Sequence, residues 1–229
     1  MRPVNKGKDA GEFKPYQDAQ NLLQERIGEF CSYCERWIAS AIHVEHKQPK
    51  NEYPKLQYSW QNFLLSCSNC NSTKSHGKLN LDDYVWPDVH NTFLAFQYAA
   101  EGKIHPVTGF GPSLDARIDK TWKTLGLNRH PDTATNGFEA PTTKDKRWTH
   151  RRDEWEKAHR RQIELKKYDT PHLRGCIVDM AASRGMFSIW FTVFSDDIDM
   201  RRRLIEAFIG TDKTSFDDEF QPVKRTATL

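Results

Sequence analysis

The chain has 229 residues, 37% hydrophobic and 28% charged, with a formal net charge of +3. That length holds one large domain or two small ones, and the composition excludes a disordered or fibrous chain. The weak positive charge permits nucleic-acid binding without demanding it. No apolar run reaches the length of a membrane span and the first residues lack a signal-peptide core, so a cytoplasmic location with reduced thiols is expected.

Residues 1–30 begin with a short extended arm, Arg2-Pro-Val-Asn5, followed by an amphipathic helix with Tyr16, Ala19, Leu23, Ile27 and Phe30 on one face. This helix leads directly into Cys31. Residues 31–80 contain two Cys-X-X-Cys pairs, Cys31 with Cys34 and Cys67 with Cys70. Residues 81–140 read as a hairpin and helix extension. Phe93 to Tyr98 and Lys103 to Val107 suit a hairpin around Glu101-Gly102, with a helix an equal alternative for 93–100. Ser113 reads as the cap of a helix carrying Leu114, Ile118, Trp122 and Leu125, ended by Gly126. Residues 128–146, rich in Pro, Thr, Asn and Asp, read as a loop.

Residues 141–229 are expected to be mainly helical. A very polar helix spans 147–168, with Trp148, Trp155, Ala158 and Leu165 as its thin apolar stripe. Leu173 to Arg184 forms the next helix, stopped by Gly185. Met186 to Phe194 is a dense apolar run, read as a buried strand. Asp196 and Asp197 cap a last helix through Ile198, Leu204, Ile205 and Phe208. The fifth cysteine, Cys176, lies in an apolar pattern and reads as a small buried hydrophobe, with a reactive thiol as the second reading.

The chemistry concentrates in the cysteine segment. Four thiolates in two close pairs can close a tetrahedral zinc site. The gap between the pairs is long for a small ribbon, and suits a catalytic hairpin inserted between two knuckles. Binding of a structural zinc is worth about 10–16 kcal/mol in small modules, enough to staple so polar a segment.

Between and just after the pairs lie the groups that metal-dependent phosphodiester cleavage needs. His46 is a candidate base to activate water. Glu45 beside it and Asn71 after Cys70 offer oxygen ligands to Mg²⁺ or Mn²⁺. Asn62, between Trp60 and Phe63-Leu64-Leu65, can hold the loop that carries His46. Lys74, one helical turn past Asn71, is a candidate phosphate contact. His43 reads as a strand residue facing solvent, or as a fifth polar group at the site.

The order Cys-X-X-Cys, acid-His with a nearby Pro, Asn, then Cys-X-X-Cys-Asn-X-X-Lys resembles the HNH endonuclease pattern over about residues 31–78. The resemblance implies a ββα-metal fold with His46 as general base, Glu45 and Asn71 as ligands of the divalent cation, and Asn62 as the positioning residue. Two departures stand out: Glu45 replaces the commoner Asp, and Asn71 replaces a His. Asn71 lowers the expected affinity for softer ions.

A narrower resemblance rests on Met1-Arg-Pro-Val-Asn-Lys6, Val44-Glu-His-Lys-Gln-Pro-Lys50, and the tail from Phe187-Ser-Ile-Trp-Phe191 through Arg203-Leu-Ile-Glu-Ala-Phe-Ile-Gly-Thr211. These segments look like the PtuB-like HNH effectors of Septu and retron anti-phage systems. That implies an ABC/SMC-like ATPase partner (PtuA-like), and in retron systems a reverse transcriptase with its RNA–DNA hybrid.

The expected fold class is therefore α+β, a zinc-stapled ββα core embedded in a mainly helical protein. The expected function is metal-dependent hydrolysis of nucleic acid inside a defence complex, with DNA the default substrate and RNA, including tRNA, chemically allowed. The alternatives are a non-catalytic zinc module and a stand-alone restriction or homing nuclease. Residues 144–167 are dense in Lys and Arg interleaved with acids, a solvated face or a nucleic-acid contact. Residues 195–220 are acidic, a poor surface for phosphate and a plausible one for a protein. Trp148 and Trp155 are the candidate anchors for docking a partner.

Overall fold

A computed structural model describes residues 1–74, 77–136, 139–226 and 229. The N-terminal arm is stitched down rather than loose. The Arg2 guanidinium donates to the carbonyls of Phe208, Ile209 and Ile27, and the Lys6 ammonium to those of Trp60 and Phe63. Helix α1, Ala19–Ile27, buries Ala19, Leu23 and Ile27, and Gly28 ends it with a positive φ of 74°.

Strands β1, His43–His46, and β2, Phe63–Ser66, pair antiparallel, with His43 opposite Ser66 and His46 opposite Phe63. Helix α2, Ser68–Thr73, follows at once, its N-terminus capped by the Cys67 sulfur accepting from the Cys70 amide. This is the expected ββα unit. Phe63, Leu64 and Leu65 are fully buried on both sides of β2, so the unit sits inside the core, not on its rim.

The next stretch holds a one-turn helix α3, Thr92–Ala95, and a short hairpin, β3 (Phe96–Tyr98) with β4 (Ile104–Pro106). Helix α4, Pro112–Thr124, starts two residues earlier than expected. Gly111 is its N-cap and Pro112 its first residue, so Ser113 lies inside the first turn and caps nothing. Proline suits that position because its missing N–H has no partner there.

The C-terminal region contains α5 (Arg147–Lys167), α6 (Pro171–Arg184), α7 (Phe187–Val193) and α8 (Ile198–Ala207). Thr170 caps α6 and Asp197 caps α8 through their side chains. Helix α5 packs along α7, and α6 along α8.

Three expectations are corrected here. Met186 to Phe194 is not a strand but α7, entered through Gly185 at φ 81° and Met186 at φ 61°. Its Phe187, Ile189, Trp190 and Phe191 are buried, and an all-apolar run carries no period to separate a buried helix from a buried strand. Cys176 is exposed on α6, with its sulfur 3.6 Å from His172 Nε2. Helix α5 buries Ala158 and Leu165 of the expected stripe, but with Arg147, Arg151 and Glu154 in place of the two tryptophans. Trp148 and Trp155 are half-buried against their own chain. Trp148 packs on His130 at 5.1 Å between ring centroids and under the Arg152 guanidinium.

Candidate active site and metal centre

The sulfurs of Cys31, Cys34, Cys67 and Cys70 lie within 4.8 Å of one another, and all four residues are buried. The sulfurs of Cys34 and Cys67 are 3.8 Å apart. With zinc–sulfur bonds of about 2.3 Å, a regular tetrahedron needs edges of about 3.8 Å. Cys31 and Cys34 come from the turn after α1, Cys67 and Cys70 from the start of α2, so the cluster ties both ends of the hairpin.

The surroundings fit a dianionic tetrathiolate. Arg147 Nη1 donates to Cys70 Sγ at 3.4 Å and to the Leu125 carbonyl at 2.8 Å, and its other nitrogens pair with Asp145. Arg151 is fully buried. Only its Nε is hydrogen-bonded, to the Gly102 carbonyl, while Nη1 and Nη2 make no hydrogen bond. Burial and then the neighbouring Arg147 push its guanidinium down to about 10. Two buried guanidiniums beside four neutral thiols would be a costly arrangement, and beside four thiolates the charges compensate. The cluster can hold a zinc ion.

The second centre is an open cleft of about 260 Å³ lined by Tyr16, Glu45, His46, Lys50, Asn71 and Lys74, among others. His46 Nε2 lies 2.9 Å from the Gln57 carbonyl oxygen. A carbonyl only accepts, so Nε2 carries the proton and Nδ1 keeps its lone pair. Tyr16 and Phe63 pack edge-on against the imidazole at 4.7 and 5.2 Å. Burial, then the nearby Lys50 and Lys74 charges, hold its pKa below the ordinary histidine value, against the pull of the Gln57 carbonyl. The ring is a neutral base at neutral pH.

Asn62 closes the loop that follows His46. Its Oδ1 accepts from the Gln48 amide at 2.8 Å, and its Nδ2 donates to the carbonyls of Gln48 and Leu56 at 2.9 and 3.2 Å. The Asn62 carbonyl also accepts from the Lys47 amide at 2.8 Å. Below it, Asp88 takes both Lys47 and Lys6 ammoniums, at 2.8 and 2.9 Å, in a buried triad.

Lys74 stands apart from the phosphate-facing role expected of it. Its ammonium is buried, donating to the His46 and Lys47 carbonyls at 2.5 and 2.7 Å and pairing with Glu45 Oε1 at 2.8 Å. Its three protons are spent inside the chain. The exposed cation of the cleft is Lys50, over the Tyr16 ring at 4.7 Å. Sequence reasoning missed Lys50 and Tyr16 here, although Lys50 belongs to the segment Val44 to Lys50 and its spacing from His46 was visible. The Gln57 carbonyl, which sets the tautomer of His46, carries no sequence signal because any residue supplies one. His43 is half-exposed and its Nε2 lies 3.0 Å from Ser68 Oγ, away from the cleft.

Glu45 and Asn71 bring two oxygen donors to the cleft that holds the base. A hard divalent cation that keeps several of its waters suits so small a protein donor set.

Residues 31–77 match the family model for HNH endonuclease. The chain is 33% identical over 96 residues to Septu protein PtuB of Bacillus thuringiensis, covering 39% of this chain and 37% of that relative. It is 29% identical over 126 residues to the "Retron Vc95 putative HNH endonuclease" of Vibrio cholerae serotype O1 biovar El Tor, covering 50% of this chain and 61% of the relative. A further Septu protein PtuB, from Bacillus mycoides, is 36% identical over 83 residues, 29% of this chain and 28% of the relative. The chain thus aligns with between about a quarter and three fifths of the length of these relatives.

Proposed function

We propose that this chain, built around the HNH domain of residues 31–77, is a metal-dependent endonuclease that hydrolyses phosphodiester bonds of nucleic acid. The observation that carries the reading is the convergence on one cleft of a neutral imidazole with a defined tautomer, two oxygen donors and an exposed lysine. His46 Nδ1 accepts the proton of the attacking water. Asn62 keeps the loop after His46 in register. Lys50 meets a phosphate of the substrate strand as a point charge. Glu45 and Asn71 would hold Mg²⁺ or Mn²⁺, which, when bound, stabilises charge on the phosphate and the departing oxygen. Because water is the nucleophile, no 2′-hydroxyl is required. DNA is the default substrate, and RNA or tRNA is allowed.

The relatives' names, Septu PtuB and retron Vc95, support a place in an anti-phage defence complex. The partner is then a PtuA-like ABC/SMC ATPase, with a reverse transcriptase and its RNA–DNA hybrid where a retron is present. No helix among the described residues is long and apolar enough to cross a membrane. A reducing cytoplasm suits four buried thiols held as zinc ligands.

One observation favours a second reading, a non-catalytic zinc module: the Lys74 ammonium already rests on Glu45. Incubating purified protein with Mg²⁺ or Mn²⁺ and with plasmid or structured RNA separates the two. Nuclease action predicts nicking that His46→Ala abolishes, and the module reading predicts none from either protein.

A further inference from the structure

A second groove, of about 470 Å³, lies on the far side of α2 from the His46 cleft, a size typical of small-ligand sites, about 300–1,000 Å³. It is lined by Arg36, Trp37, Asn69, His150, Glu154 and Arg184, among others. Trp37 is 46% exposed, the one tryptophan among the described residues left so uncovered. A tryptophan on a loop between two zinc knuckles would normally be the first side chain to be buried.

The groove is built from rigid parts. The Trp37 amide donates to the Arg184 carbonyl at 3.3 Å, and the Met186 amide to the Glu35 carbonyl at 2.9 Å. Gly185 sits between, where an added Cβ would fall 2.4 Å from the Glu35 carbonyl oxygen and 2.6 Å from the Trp37 nitrogen. Arg36 Nη2 donates to Asn69 Oδ1 at 2.9 Å, fixing that guanidinium against α2. Arg184 is half exposed, its Nε on Glu154 Oε1 at 2.7 Å. Glu154 also takes Lys157, which cancels its charge locally. The groove therefore offers an aromatic platform flanked by two guanidiniums. The two arginines also hold the His150 imidazole below its ordinary pKa, after burial as the larger cause.

Helix α2 separates the two clefts. Ser68 and Asn69 face this groove, while Asn71 and Lys74 face the His46 cleft. The helix is short, six residues with a rise of about 9 Å, so the two clefts are neighbours across one element.

We propose that this groove binds an unpaired stretch of the nucleic-acid substrate beside the scissile bond, with a base stacked on Trp37 and its phosphates on Arg36 and Arg184. The assignment rests on the nuclease reading for its connection to cleavage, but not for the binding itself. An exposed indole stacks on any base, and a base in a duplex has no free face to offer it. A paired substrate would leave the platform unused, so the groove selects single-stranded, looped or frayed nucleic acid.

The test measures binding of a fluorescein-labelled twelve-nucleotide single strand, and of the matching duplex, by anisotropy in the His46→Ala background. Trp37→Ala should weaken single-strand binding about ten-fold or more, Trp37→Phe should retain most of it, and duplex binding should change little. Arg184→Ala should reduce the slope of log affinity against log salt by about 0.7. Zinc content equal to the parent's certifies each fold. Trp37→Ala protein with full zinc and unchanged single-strand affinity overturns the proposal, as does an equal loss for the duplex. Should Trp37→Ala fail to hold zinc, an unchanged salt slope in Arg184→Ala overturns it instead. Absence of any nicking by the parent protein with Mg²⁺ or Mn²⁺ would sink the nuclease reading while leaving the binding result standing.

Discussion

Arg147 Nη1 lies 3.4 Å from Cys70 Sγ, so the first residue of helix α5 touches a ligand of the cysteine cluster 77 positions earlier in the chain. The same guanidinium holds Asp145, and both side chains are nearly inaccessible. Helix α5 is therefore part of the wall of the cysteine cluster and not an appendage to it. Arg147→Met should leave Asp145 buried and unpaired, at a cost of about 3–5 kcal/mol. Chelator-driven zinc release should accelerate and the thermal midpoint should fall. A midpoint and release rate equal to the parent's would remove Arg147 from the centre. By the same reasoning a fragment ending near residue 140 should fail to fold as a zinc protein, so deletion of 141–229 is no clean test of partner docking.

Elemental analysis of freshly purified protein should find one zinc per chain that resists mild EDTA. Cys67→Ser should lose it and unfold, since a structural zinc contributes about 10–16 kcal/mol in small modules. The same EDTA treatment should abolish nuclease action, and Mg²⁺ or Mn²⁺ should restore it without any gain of zinc. Protein that is zinc-free and folded would refute the two-metal arrangement.

His46→Ala should lower cleavage by about 10²–10⁴ while sparing fold and zinc, because Nε2 makes a single bond to the Gln57 carbonyl. The readout is the rate of nicking at saturating metal.

The two lysines of the cleft should separate cleanly. Lys74→Ala leaves the buried Glu45 carboxylate and two carbonyls without their ammonium. Its expected effect is a stability loss of about 3–5 kcal/mol, read by denaturant unfolding. Lys50→Ala removes an exposed cation and should raise KM and flatten the salt dependence with no loss of stability. If Lys74→Ala instead folds normally and only weakens substrate binding, its buried placement is wrong.

His90 predicts an acid-sensitive fold. Its Nδ1 accepts from the Trp86 amide at 3.0 Å and its Nε2 lies 3.1 Å from the Arg117 guanidinium. Burial, then Arg117, lowers its pKa from 6.5 to about 4. The unfolded chain takes up this proton below about 6.5 and the native chain does not. Stability should be full above that pH and fall as the pH drops towards 4, by roughly 3 kcal/mol. Replacing His90 with Gln should flatten the unfolding free energy between pH 6.5 and 4. A slope unchanged by the replacement would place the acid sensitivity elsewhere.

What the sequence determined by itself was local. Cysteine spacing marked both knuckles, because two thiols separated by two residues on a tight turn must converge whatever surrounds them. Glu45, His46 and Asn71, singled out by their chemistry and by the HNH resemblance, line one cleft, Asn62 bonds the loop after His46, and most helices were legible through their apolar period and their caps. What tertiary structure decided was every question of where a long or unpatterned side chain ends. Helix α5 buries Arg147 and Arg151 because Asp145, the Cys70 sulfur and the Leu125 and Gly102 carbonyls meet their guanidiniums, most of them partners far away in the chain. Lys74 turns inward because its four-carbon stem reaches two carbonyls and a carboxylate of β1 and its loop. The run Met186 to Phe194 became a helix because burial on all sides erases the pattern that separates strand from helix. Trp37 stays exposed because Gly185 and Arg184 pin its backbone from 147 or more positions away. A local pattern reports the backbone's own preference, while charge and volume are balanced only among neighbours that folding brings together.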